Sequence, residues 1–270
     1  MKTRRFQELA AVGRAPVSTR ILLTGARSAF IGPNLIDEPH RTAVATIIIG
    51  LDGDVALRRI GSIENGLRPC PVMVIPPDTV CEMDASGDIA VLFADALTDD
   101  CSEIDARELT SRIDPLRTKL RLGPGDIAPD AYLRNVFSEM GVVSRTAARQ
   151  EIARVVAALG RWPEEFPTVE QAAQLAGLSP MRFQHVFTET VGLSFRRYRQ
   201  WRRMGRVIRA IAKGENLTAA AYTAGFSNSA HLSTAFKAMF GLRPSALLSS
   251  QVKFFLADTE FGGDAYDGQK

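Results

Sequence analysis

Apolar positions in the first half of the chain come in short runs separated by turn residues. Thr42 to Ile49 is rich in β-branched side chains, and Asp52-Gly53 offers the positive-φ pair of a tight hairpin before Asp54 to Ile60. Pro71 to Ile75, the Pro76-Pro77 break, Thr79 to Asp84, the Ser86-Gly87 turn and Ile89 to Phe93 continue the pattern. Strands at this spacing predict an antiparallel barrel or sandwich. From Asp126 the period becomes helical. Leu133, Val136, Phe137 and Met140 form one stripe, and Ser144 is placed to cap a second helix carrying Ile152, Val155, Val156 and Leu159. Gly160 to Pro163 ends that helix, and the segment to Pro167 reads as a linker.

Thr168 to Leu248 is helical almost throughout. Thr168 with Gln171 three residues on forms a capping-box signature, Gly177-Leu178-Ser179 turns, and Ser179-Pro180 restarts a helix carrying Phe183, Val186 and Phe187 inward. About 48 residues later the same grammar returns. Thr218 is placed as a cap, Gly225-Phe226-Ser227 turns, and the next helix carries Leu232, Phe236 and Phe240. Helix, glycine turn, helix is the arrangement that puts its second helix into a DNA major groove, and a repeat of it is far more specific than one copy. Phe195 to Lys213 joins the units as one long helix with an apolar stripe, while Arg199, Arg202, Arg203 and Arg206 run along another face. Its length of about 28 Å is close to the roughly 34 Å of one DNA turn.

Composition refines this organisation. A chain of 270 residues, 46% hydrophobic and 23% charged, is globular and long enough for about two domains. No apolar run reaches transmembrane length, and the opening Met1-Lys2-Thr3-Arg4-Arg5 lacks the pattern of a secretory signal, so a cytoplasmic location away from the membrane is expected. Net charge is only +3, yet residues 161–250 hold 12 Lys and Arg against 5 Asp and Glu. A basic block on a near-neutral chain fits an anionic partner such as double-stranded DNA.

Thr168 to Leu248 resembles the tandem helix-turn-helix domain of AraC/XylS-type transcription regulators. The likeness lies in Leu178-Ser179-Pro180, Phe187, Gly192, Tyr198, Ala221 with Gly225-Phe226-Ser227, and Phe236-Lys237 followed by Gly241-Leu242-Arg243-Pro244. Less specifically, the strand-rich half with Ile75-Pro76-Pro77 resembles the cupin-like effector domains that often precede this module. The expected fold class is therefore α+β: a cupin-like antiparallel barrel over residues 1–125, a helical dimerisation segment over 126–162, an all-α tandem helix-turn-helix domain over 163–250 and an acidic tail over 251–270.

By carry-over, the first recognition helix points Met181, Gln184 and His185 at the groove, with Arg182 beside the backbone. Gln184 can pair with adenine and Met181 can cover a thymine methyl. In the second, Ser229, Ser233 and Thr234 replace the Gln or Arg common in the family, so that half-site is expected to be read weakly, with Lys237 on a phosphate. Arg202 and Arg206 are assigned to DNA from the connecting helix. The chain also departs from the family in carrying Ala246, Leu247 and Leu248 where an aromatic usually follows the final proline.

The resemblance implies an effector-controlled activator that contacts RNA polymerase at a promoter. Dimerisation is expected through Leu133, Val136, Phe137, Val155 and Leu159, because two apolar stripes beside a barrel exceed what a small domain needs for its own core. Arg58, Arg59 and Arg68 are candidates to hold an anionic effector such as an anionic metabolite or a cyclic dinucleotide, since guanidinium forks suit carboxylates and phosphates. Cys81 is placed as a pocket residue. An enzyme is not expected, nor a cofactor or metal: His40 is the one histidine in this half, and Cys70, Cys81 and Cys101 lack metal-binding spacing. The competing readings are a repair protein or enzyme with an appended helix-turn-helix module, and a thiol-sensing regulator.

Overall fold

The computed structural model describes residues 17–25, 27–60, 69–94, 96–144, 149–161, 168–248 and 251–257. The chain runs through β1 (Arg20–Leu23), β2 (Ser28–Pro33), β3 (His40–Arg41), β4 (Thr46–Gly50), β5 (Val55–Arg59), β6 (Val72–Ile75), β7 (Val80–Ala85), β8 (Asp88–Phe93) and β9 (Asp99–Asp100). There follow α1 (Ala106–Ser111), α2 (Ile113–Leu122), α3 (Pro129–Glu139), β10 (Val143–Ser144) and α4 (Gln150–Arg161). Last come α5 (Val169–Ala176), α6 (Pro180–Val191), α7 (Phe195–Ala212), α8 (Leu217–Thr223), α9 (Ser229–Phe240), α10 (Pro244–Leu248) and β11 (Lys253–Leu256).

Two main sheets and a two-stranded ribbon of β9 and β10 make the strand part of the N-terminal half. The larger has the order β11-β1-β2-β8-β4-β6 and the smaller β3-β7-β5. Ile48, Val55, Leu57, Met73, Ile75, Met83, Ile89 and Val91 fill the space between them. On its other face the larger sheet buries Ile47, Ile49, Leu92 and Ile31 under α1 to α3, through Leu109, Leu116, Leu120, Leu133, Val136 and Phe137. Burial on both faces explains the unbroken Ile47-Ile48-Ile49 run, in which each side chain contributes about 1.5–3 kcal/mol of hydrophobic stabilisation. The smaller sheet is open on one side, and β5 accordingly ends in exposed Arg58 and Arg59.

The strand positions from residue 46 to 93 follow the sequence pattern, but their pairing does not. The expected hairpin between β4 and β5 does not form: β4 pairs with β6 and β8, whereas β5 pairs with β7 from Val55↔Ala85 to Arg59↔Cys81. A strand apolar on every position belongs in the covered sheet, and one with a polar end belongs at the wet edge. Ser144 lies in β10, opposite Asp99, and α4 starts only at Gln150. The N-cap of α8 is Asn216, which accepts from the Ala219 amide at 2.9 Å, two residues before the expected Thr218.

Packing also moves two boundaries. α4 shares a core with the first helix-turn-helix unit, Ile152, Val155, Val156 and Leu159 meeting Ala172, Ala173, Phe183 and Phe187. That helix belongs with the C-terminal half, and the change of domain falls before it. The described part of the tail, 251–257, is no acidic appendage: β11 joins the larger sheet parallel to β1, in register from Arg20↔Lys253 to Leu23↔Leu256. The five side chains assigned to a dimer interface, Leu133, Val136, Phe137, Val155 and Leu159, are all at most 1% exposed within the single chain. Neither stripe was surplus. One covers the sheet and the other closes the first helix-turn-helix core.

Candidate nucleic-acid interface and interdomain cavity

The first helix-turn-helix unit is built by local sequence. Thr168 accepts from the Gln171 amide and the Gln171 side chain returns to the Thr168 amide, giving the expected capping box for α5. Gly177, at φ 70°, ends α5 in the left-handed conformation, and Ser179 accepts from Arg182 to start α6 behind Pro180. Phe183, Phe187 and Phe195 stack edge to face in the unit's core. With those rings inward, Met181, Arg182, Gln184 and His185 all point to solvent on one rim, Met181 at 84% exposure. An exposed thioether beside a row of polar side chains is what a groove-reading face needs.

In the second unit Asn228 accepts from the His231 amide at 2.8 Å and opens α9. Leu232, Ala235, Phe236 and Met239 are buried, leaving Ala230, His231 and Thr234 exposed. Ser229 and Ser233 are half-buried, and the Ser233 hydroxyl donates to the Ser229 carbonyl at 2.8 Å, so it is engaged with its own helix. The Lys237 ammonium lies 2.6 Å from a Glu38 carboxylate oxygen of the N-terminal half.

The arginine face of α7 is not a solvent face. Arg202 is 4% exposed and donates to the Tyr198 hydroxyl at 3.1 Å, and Arg203 is 8% exposed, donates to the Ala224 carbonyl and lies 3.7 Å over the Phe226 ring. Arg202 therefore cannot serve as the DNA contact assigned to it. α7 is packed by both units, so Arg202 and Arg203 are consumed as structural donors, while Arg199 and Arg206 keep partial exposure. Sequence periodicity marks that face as polar without showing that a second unit folds over it.

Between the halves lies an apolar cavity of about 100 Å³. The sheet side supplies Ile21, Leu23, Ile48 and Phe93, and the helical side Trp201, Ile208, Phe240 and Leu247. Phe93 packs against both Trp201 and Phe240, with centroids 5.2 and 5.9 Å apart. Arg27, Ser28, His40, Thr42, Thr46 and Arg202 add its polar points, Arg27 held in an ion pair with the buried Asp99 and Arg202 hydrogen-bonded to the Tyr198 hydroxyl. Sequence reasoning missed this site because its walls come from segments as far apart in the chain as Ile21 and Leu247. The one available signal was the surplus of aromatic residues on α7 and α9.

The side chains proposed for an anion lie elsewhere. Arg58 is ion-paired with Glu82 on the exposed face of the smaller sheet, and Arg59 is exposed beside it. Arg68 lies outside the described residues. Cys81 is fully buried, its sulfur 3.8 Å from His40 Nε2. Burial pushes its thiol up to about 11, with the Arg59 charge pulling the other way, which is the reverse of an activated thiolate. Burial also lowers the His40 imidazole, partly offset by its contact with the Glu38 carbonyl. Among the described residues no group of three or more His, Cys, Asp and Glu is placed to hold a metal ion, and no helix is long and apolar enough to cross a membrane.

Residues 172–250 match a family described as a helix-turn-helix domain. Among solved structures, the chain is similar to an apo ToxT variant from Vibrio cholerae, with a TM-score of 0.58 and 14% identity over 83% of this chain and 97% of that one. A second Vibrio cholerae ToxT structure aligns with a TM-score of 0.50 and 11% identity, over 83% and 98% of the two chains. The DNA-binding domain of AdpA, solved with a target DNA, is 26% identical over 37% of this chain and 90% of its own, with a TM-score of 0.34. No curated protein sequence matches the chain.

Proposed function

We propose that this chain, whose residues 172–250 are a helix-turn-helix domain of the AraC type on a ToxT-like fold, is a sequence-specific DNA-binding transcription regulator. The observation that carries the reading is the outward row Met181, Arg182, Gln184 and His185 on a helix capped at both ends. In this reading promoter activation through RNA polymerase follows the regulators it resembles. The interdomain cavity takes the effector, and its walls favour a largely apolar molecule over the anion expected from Arg58, Arg59 and Arg68. A ligand touching both halves makes different contacts in each of their arrangements, which is the requirement for coupling to DNA binding.

The test is binding of the whole chain to duplexes selected from a random pool. Gln184→Ala and His185→Ala should each relax specificity at one or two base pairs, costing about 1–3 kcal/mol, and Ser229→Ala should cost much less. Affinity should fall steeply with salt. Equal losses from all three, or salt-independent binding, would contradict the assignment of the reading face. For the effector, a thermal-shift screen should find apolar compounds, since a ligand at 100 times its Kd adds about 2.7 kcal/mol of stability. Ile208→Trp, which fills the cavity, should abolish that shift. Anionic hits that survive it and disappear in Arg58→Ala or Arg59→Ala would restore the other site.

A further inference from the structure

The second recognition helix is gripped by the N-terminal half at one end. The segment between β2 and β3 passes over the C-terminus of α9, where the amides of Asp37 and Glu38 both donate to the Gly241 carbonyl at 3.1 Å. Gly241 itself has no room for a side chain: a Cβ there would lie 2.5 Å from the Glu38 carbonyl oxygen and 2.6 Å from His40 Nδ1. Glu38 is thus fixed by its backbone, and its carboxylate is delivered to Lys237 at 2.6 Å. Lys237 stands one helical turn after Ser233 and Thr234 and two turns after Ala230, in line with the groove-facing row of α9. That row holds no other cation.

We propose that Glu38 occupies the place of a DNA phosphate against Lys237, an autoinhibitory contact that the duplex must displace before the second unit can dock. The inference rests on the DNA-binding reading above. A carboxylate and a phosphate oxygen compete for one ammonium, so the wild-type chain gains no counterion release from Lys237 until the pair opens. Both partners are about one-third exposed, and an ion pair in such a position contributes little to folding. The contact can therefore open without loss of the fold. Ile36 of this segment lines the interdomain cavity together with His40 of β3 and Thr42 just after it, which puts Glu38 within a few residues of any ligand held there.

A double-mutant cycle on the whole chain tests this, with a duplex selected from a random pool as the probe and thermal melting to confirm folding. Glu38→Gln should bind about two- to fivefold tighter at low salt, with the gain shrinking as rising salt screens the wild-type Glu38–Lys237 pair. Lys237→Gln should change wild-type binding by less than about twofold, yet remove the whole gain when combined with Glu38→Gln. The proposal is overturned if Glu38→Gln leaves affinity and its salt dependence unchanged, or if the gain survives in the double variant, which would mark a general effect of removing negative charge. If none of the four proteins binds any duplex, the DNA-binding reading itself fails, and this inference falls with it.

Discussion

Gly192 and Gly241 close the two recognition helices in nearly the same left-handed conformation, φ 77° and 69°, but in different surroundings. Around Gly192 a Cβ would meet nothing within 4 Å, whereas at Gly241 it would press on Glu38, His40 and Ile36. Gly192→Ala should therefore cost only the left-handed penalty of about 1–2 kcal/mol. Gly241→Ala adds the clash with backbone and should lower the midpoint of urea unfolding clearly more. Equal shifts would mean that the 36–42 segment yields freely. At this scale the sequence was a good guide to conformation and a poor guide to partners. The glycines, the Thr168 cap and the exposed Gln184 and His185 follow from local rules. The Lys237 pair with Glu38 and the burial of Arg202 do not, because each depends on an element far away in the chain.

Helices were legible wherever a long apolar period ran beneath their caps. α3, α5 to α7 and α9 stand close to where periodicity puts them, α8 opens two residues early, α4 starts only at Gln150, well after its expected cap, and α1 and α2 were missed. α1 has only six residues and one buried side chain, Leu109, whereas α2 carries a regular stripe, Ile113, Leu116 and Leu120 at i, i+3 and i+7, that lies before Asp126, where the sequence reading starts its helical period. The stripes of α3 and α4 announce a partner but not which one, since a dimer and a core satisfy an apolar face equally well. Structure gives both to the chain itself. Leu133→Glu and Val155→Glu should thus unfold the protein, each burying an unpaired carboxylate at a cost of about 3–5 kcal/mol, rather than yield folded monomer. Circular dichroism with sedimentation decides: a folded protein of smaller mass would return these faces to an interface.

For the whole molecule, β11 is the element that ties the end of the helical half back to the sheet. The Lys253 amide donates to the Thr19 carbonyl and the Ala257 amide to the Leu23 carbonyl, while Arg209 of α7 donates to the Ala257 carbonyl at 3.3 Å. Truncation after residue 250 should leave β1, whose Ile21 and Leu23 wall the cavity, as an unpaired edge. A lower melting temperature and concentration-dependent light scattering are expected; an unchanged melt would show that β1 needs no partner. What the sequence by itself determined is the set of local, periodic and repeated features: strands from 46 to 93, two helix-turn-helix units, the caps of α5 and α6, and the outward row Met181, Arg182, Gln184 and His185. Each of these depends on residues within about a turn or a strand of one another. Only the tertiary structure decided which strands pair, that β11 returns to β1, that apolar stripes close cores instead of dimers, and that a cavity lies between the halves. Those outcomes are set by competition among distant surfaces for the same contacts, and no short window of sequence holds both competitors.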